Sequence, residues 1–237
     1  MALATIGTTP AFTGQASSAF ATPSSGGAVA APDTGSRASQ TGPTGEARQG
    51  ARLLRIGSRG SDVAALKVQL RDMKYLVDRG DVYTQRTADA VMAFQKVNGL
   101  QRDGVAGPQT RRKLRNPSRF VIGSGASNRI VVDKSQQAAA MVKGGRIAYI
   151  LNVSTGEPGR DTPVGRRKVE WKVDGWDPGP YGPLYKPSYF TEDGIGVHGS
   201  PSVPAYAASH GCVRVPMEAA DRVYRDLKLG REVNVRQ

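Results

Sequence analysis

The sequence predicts a multidomain chain: a small three-helix all-α module over residues 51–116, then a mostly β domain over residues 120–237. Three observations predict it. Apolar residues recur at helical spacing between residues 61 and 115, with Gly99 and Pro108 as punctuation. From about Phe120 the pattern changes to short runs of aliphatic and β-branched residues bounded by turn signals. Residues 1–50 are rich in Ala, Gly, Ser, Thr and Pro without sustained periodicity, too polar and small to offset chain entropy, and read as a disordered leader. The first part of that leader is uncharged, weakly apolar and ends in Ala19-Phe20-Ala21, the small-x-small pattern of a cleaved signal peptide. It lacks the positive n-region, so a clipped signal peptide and an Ala-rich tail both remain open.

Taken in order, "GSDVAALKVQLRDM" offers Ser61 or Asp62 as a helix cap, with Val63, Leu66, Leu70 and Met73 along one face. A second helix fits Thr87 to Asn98, burying Val91 and Phe94 and stopping at Gly99. "RDGVAG" is turn chemistry, and Pro108 suits the first position of a third helix running to about Arg115. In the second part, "RIVVD", "QAAAMVK" and "RIAYILNV" are strand-like, the last two joined as a hairpin by Gly144-Gly145. "VDGWDPGPYGPLYKPSYF" holds four prolines and three glycines, which argues against any regular element and for a long loop or lid. "PMEAADRVYRDLKLG" reads as a helix between Pro216 and Gly230, and "REVNV" as a closing strand.

The formal charge of +13 is uneven: residues 51–119 carry 15 basic against 6 acidic side chains, so the helical part favours anionic partners. Nucleic acid, acidic lipid and anionic wall polymer all satisfy that charge. No apolar run approaches the roughly 20 residues that span a bilayer, so no transmembrane segment is expected. The sequence sets no oligomeric state.

The chain has one cysteine and two histidines, and "SHGCVR" holds the cysteine and one histidine, with His198 fourteen residues before Cys212. A thiol becomes a strong nucleophile as thiolate, a form favoured by a nearby imidazole or helix N-terminus. The helix after Pro216 follows Cys212 by a few residues, and His198 falls after the apolar run "GIGV", at a strand edge. Gly199 and Gly211 flank the two residues and permit close backbone approach, while amides around Gly211 and Cys212 could meet a developing oxyanion. Arg214, two residues on, shares the face of Cys212 if the segment is extended. Two other readings stand beside this one: a zinc site from His198, His210 and Cys212, short of a fourth ligand, and a buried thiol with two structural histidines.

Residues 128–236 resemble the L,D-transpeptidases with the YkuD-like catalytic domain. The blocks "VSTGEPG", "TPVG", "VHG" and "SHGCVRV" carry the resemblance, in that order, with Arg167 departing from an aromatic usual after "TPxG". Residues 54–114 separately resemble the three-helix peptidoglycan-binding module through "LRIGSRGSDVAALKVQL", "AVMAFQKVNGL" and "DGVAGPQT", with Lys67 and Lys74 departing from a usual Gln and Gly. The resemblance implies a YkuD-like β-sandwich in which Cys212 is the nucleophile and His198 its acid and base. It further implies that His210 and Gly211 shape the oxyanion site, that Ser209 and Arg214 support it, and that no metal or cofactor is needed. The expected reaction releases the terminal D-alanine of a peptidoglycan tetrapeptide stem through a thioester and joins the acyl group to an acceptor amine. The alternatives are an L,D-carboxypeptidase using water and a non-catalytic wall-binding protein. The partner is then peptidoglycan, the location is the exported space of a bacterium, and nucleic acid falls away for want of an aromatic-interleaved basic motif. The helical module reads as separate, so its removal is expected to spare chemistry on small soluble stems.

Overall fold

The computed structural model describes residues 52–237; the leader expected over residues 1–50 lies outside them. Three helices come first, α1 (Ser61–Asp72), α2 (Gln85–Val97) and α3 (Pro108–Lys113). Helix α1 is capped by the backbone of Gly60 and not by Ser61 or Asp62, which lie inside its first turn. Helix α2 starts earlier than its apolar pattern suggests, because Thr84 and Thr87 exchange side-chain and backbone bonds in a capping box. The two departures in this module have physical explanations. Lys74 adopts φ 72°, the left-handed backbone that glycine takes without steric cost. Lys67 is buried and pairs with Asp78 at 2.8 Å, a contact that also holds the Thr84 end of α2 through Asp78.

The β part holds β1 (Arg129–Asp133), β2 (Ala138–Lys143), β3 (Arg146–Asn152), β4 (Gly165–Lys168), β5 (Trp171–Lys172), β6 (Trp176–Asp177), β7 (Leu184–Tyr189), β8 (Gly196–Ser200), β9 (Val213–Pro216), helix α4 (Met217–Asp226) and β10 (Glu232–Arg236). They form two sheets, one in the order β3-β2-β1-β10-β4 and one in the order β5-β7-β8-β9 with β6 on β7. The expected helical module and mostly β sandwich are both present.

In the first sheet, period-two alternation splits the side chains between two cores. Ile130, Val132, Ala139, Met141, Tyr149 and Leu151 face the second sheet and α4. Val131, Ala138, Ala140, Val142 and Ile150 face the other way and share one core with Leu66, Leu70, Phe94 and Val97 of the helices. The helical module is therefore packed on the sheet, and Lys74 to Leu76 pair alongside β3, with Leu76 N donating to Ile150 O and Lys74 O accepting from Ile150 N. Burial on both faces explains why "RIVVD" and "AAAMV" read as continuous apolar runs.

The proline-rich stretch departs from expectation. Its second half is β7, paired with β5, β6 and β8. The ladder shifts register between Tyr185 and Ser188, with Lys186 at φ 49°, and this bulge accommodates Pro187 without a missing donor in the ladder. Only residues 178–183 form the expected loop.

Candidate active site

Strand β8 lies between β7 and β9, so His198 occupies the interior of the second sheet and not an edge, with 5% of its surface exposed. In the parallel β8–β9 register, His198 and Arg214 are Cα partners. Cys212 immediately precedes β9. Its half-buried sulfur sits beside the start of β8, accepting from Gly196 N at 3.4 Å and lying 3.9 Å from Gly194 O. Residues 196 and 198 are two apart on one strand, so the segment that touches the sulfur also presents the imidazole to the same side.

Below the Cys212 turn lies a backbone scaffold made by the "STG" and "TPVG" segments. Ser154 and Arg214 exchange both backbone bonds, and the amides of Ala208 and Ser209 both donate to Thr155 O. Gln137, at φ 56°, accepts from Thr155 N and donates to Thr155 Oγ1. Thr162 Oγ1 donates to Gly211 O at 2.6 Å and accepts from Gly156 N at 2.9 Å. Gly156 has no alternative, since a Cβ there would lie 2.0 Å from Arg160 O. Ser209 closes the turn: its hydroxyl donates to Cys212 O and accepts from Gly211 N. The Gly211 amide is thus already committed, and Gly211 itself, at φ 119°, is outside the cleft wall.

Gly199 does not open the way to a substrate. A Cβ on it would meet Ala220 and Met217 of α4 and Tyr185, so its missing side chain makes room for the helix behind the sheet. Strand β9 lies between Cys212 and α4, so four extended residues separate the thiol from the helix end expected to assist it.

His198 Nδ1 lies 2.9 Å from Gly199 O. A carbonyl only accepts, so Nδ1 carries the proton, and in the neutral ring Nε2 is the basic nitrogen. Burial holds the imidazole below its ordinary value, opposed by the Gly199 bond and assisted by the Arg214 charge. Burial likewise pushes the Cys212 thiol above its ordinary value, with the Gly196 amide and Arg214 pulling the other way. Both shifts favour the uncharged partners, thiol and imidazole, over the thiolate.

These residues open onto a cleft of about 570 Å³ whose wall includes His198, Ser209, His210, Cys212 and Arg214. The far wall is aromatic. Trp171 stacks on Tyr189 with centroids 4.7 Å apart, and Tyr189 donates to Asp177 at 2.7 Å. Tyr181, on the loop, stacks on exposed His210 at 4.3 Å and 9°. Arg167, by contrast, lies on β4 in the other sheet and donates to Pro163 O and Val164 O. Sequence reasoning missed Gln137 and Tyr181: a left-handed glutamine has no sequence signature, and one tyrosine in a proline-rich loop has no periodicity to mark it. Among the described residues, no three His, Cys, Asp or Glu side chains are grouped to hold a metal ion, and no helix is long and apolar enough to cross a membrane.

Residues 127–235 match the family model of the L,D-transpeptidase catalytic domain, and residues 59–114 match that of a peptidoglycan binding domain. No curated protein sequence matches the chain. Among solved structures, an L,D-transpeptidase from Stackebrandtia nassauensis is 24% identical over 78% of this chain and 95% of its own, with a TM-score of 0.49. One from Mycobacterium smegmatis is 22% identical over 48% and 60%, with a TM-score of 0.43. The L,D-transpeptidase of Xylanimonas cellulosilytica is 34% identical, with a TM-score of 0.73, over 78% of this chain and 98% of that one. On that identity, sustained across nearly the whole of the relative, the chain belongs to the L,D-transpeptidase family.

Proposed function

We propose that this protein is an exported cysteine L,D-transpeptidase that cross-links peptidoglycan stems. The single observation that carries the reading is the His198 tautomer, fixed by Gly199 O on the strand that also touches the Cys212 sulfur, inside a cleft large enough for a peptide. Cys212 attacks the carbonyl of the L-centre of the diamino acid in a tetrapeptide stem, and Nε2 of His198 takes the thiol proton as the C–S bond forms. The imidazolium returns that proton to the amine of the terminal D-alanine, which leaves as the C–N bond breaks and a thioester remains. A side-chain amine of a second stem then attacks the thioester, His198 takes its surplus proton, and the thiol is regenerated. With the Gly211 amide committed to Ser209, oxyanion stabilisation falls to the amides of His210 and Cys212, with Arg214 as the nearby charge. Ser209 and Gly211 hold the turn, and His210 fixes the loop through Tyr181. The helical module and its basic surplus suit an anionic wall polymer.

The test incubates purified soluble tetrapeptide stems with the protein and reads products by mass spectrometry. Release of D-alanine together with cross-linked stems is expected, and Cys212→Ala is expected to abolish both while remaining folded. Tripeptide alone would mean water is the acceptor; full turnover by Cys212→Ala would overturn the assignment of the nucleophile.

A further inference from the structure

Between Ser200 and Ser209 the chain forms no helix or strand, yet four successive carbonyls in it are each taken by a side chain. Val203 O accepts from Asn152 Nδ2 at 3.4 Å and Pro204 O from Lys96 Nζ at 3.2 Å. Ala205 O accepts from Arg102 Nη1 at 3.1 Å and Tyr206 O from Ser154 Oγ at 2.7 Å. Two of these four donors belong to the helical module. Both are basic side chains, and both reach more than 100 residues along the chain to do it.

Lys96 is the more informative. It stands in the last turn of α2 and is 2% exposed, so its ammonium has left water almost completely. An ammonium has three protons to donate, and all three are used: on Pro204 O, on Val153 O at 2.8 Å and on Asn152 Oδ1 at 2.5 Å. Every acceptor belongs to the β part, and none is a carboxylate. Asn152 relays the contact, since its amide donates in turn to Val203 O. Such burial pulls the ammonium pKa down to about 7 and is costly unless every proton is matched. Of the three acceptors, Pro204 O lies on the backbone leading to the Cys212 turn, and Asn152 bridges to it through Val203 O. That backbone continues into Ser209, which braces Cys212, and begins at Ser200 and Ser202 on the cleft wall.

We propose that Lys96 and Arg102 are positioning residues for acyl transfer: the helical module holds the 203–206 loop, and through it the turn that places Cys212 beside β8. The module is then part of the frame of the active site, apart from anything it binds. The proposal rests on the transpeptidase reading above for the reaction it serves, but the clamp itself does not depend on that reading.

The full chain tests it, as Lys96→Met, Arg102→Ala and Arg102→Lys. Hydrogen–deuterium exchange reads the loop, and D-alanine release from soluble tetrapeptide stems reads the reaction without wall binding. The amides of residues 203–212 are expected to exchange about tenfold faster or more in Lys96→Met and Arg102→Ala, while those of β1, β2 and β10 are unchanged. The rate kcat should fall about 10- to 100-fold with KM altered less than about 2-fold, and Arg102→Lys should restore most of it. A role in stability alone would lower the melting temperature and leave kcat of the folded protein untouched. If Lys96→Met does not fold, Arg102→Ala decides. Parental exchange in residues 203–212, or faster exchange with parental kcat, would overturn the proposal. Wild-type protein that releases no D-alanine would overturn the transpeptidase reading instead, and the exchange measurement would still decide the clamp.

Discussion

The two sheets differ in what lies against them. The β3-β2-β1-β10-β4 sheet has one face under the helical module and the other under the second sheet and α4. The β5-β7-β8-β9 sheet has α4 behind it and a cleft in front. In the covered sheet Asp133 pairs with Arg236 at 2.8 Å and with Ser135 at 2.7 Å, while the buried Arg129 Nε, Glu232 Oε1 and Arg236 Nε find no hydrogen-bond partner among the described residues. In the open sheet, His198 spends one nitrogen on Gly199 O, and its other nitrogen has no hydrogen-bond partner among the described residues. The difference lies in where an unmatched polar atom stands: the free nitrogen of His198 belongs to a residue on the cleft wall, whereas the unpartnered atoms of the covered sheet are shut away from solvent.

The largest effect should come from uncovering the closed face. Removing residues 52–115 exposes Val131, Ala138, Ala140, Val142 and Ile150, so the remaining chain is expected to lose cooperative melting and to be poorly soluble, contrary to a module that can be detached. A truncated chain that melts cooperatively at the parental temperature, followed by near-UV circular dichroism, would break the comparison between closed and open faces.

On the open face, His198→Ala should cost about 10²–10⁴-fold in D-alanine release with little change in melting temperature. His210→Ala should cost only about tenfold, because His210 is exposed and supports the loop through Tyr181 without a fixed proton. Stopped-flow acylation of both variants decides this. Greater damage in His210→Ala would exchange the roles.

A smaller and sharper effect is the pH dependence. Burial raises the Cys212 thiol above its ordinary value and lowers the His198 imidazole below its own. Iodoacetamide reacts with thiolate, so alkylation of Cys212 should keep climbing past pH 9. With neutral imidazole and neutral thiol as the proposed reacting pair, kcat/KM should rise through an imidazole pKa below the ordinary value and stay level through the ordinary thiol range. An alkylation plateau near pH 7 would show a preformed thiolate, and the burial argument would fail.

Much of this organisation could be read from local chemistry. Pro108, Gly99 and the apolar spacing around Val91 and Phe94 place helices because caps and periodicity act within a few residues. Cys212 and His198 stood out because their residue types are scarce in this chain. What escaped was nonlocal. β7 contains Pro187, and only the bulge against β8 makes room for it. β4 is "GRRK", an edge strand whose exposed charges carry no apolar alternation and which exists through pairing with β10. Lys96 looks like one more surface lysine on an amphipathic helix, since its three acceptors lie between 56 and 108 residues away.

The order of strands also governs when the molecule can come into being. β1 lies between β2 and β10, and its pairing with β10 joins segments about 100 residues apart in the chain. The inner sheet therefore cannot close until Glu232 to Arg236 have been synthesised, and until then one edge of β1 stays unpaired. The cleft residues from Trp171 to Arg214, and the closing strand after them, all follow β1 along the chain. Until β10 is threaded between β1 and β4, the first sheet stays in two pieces.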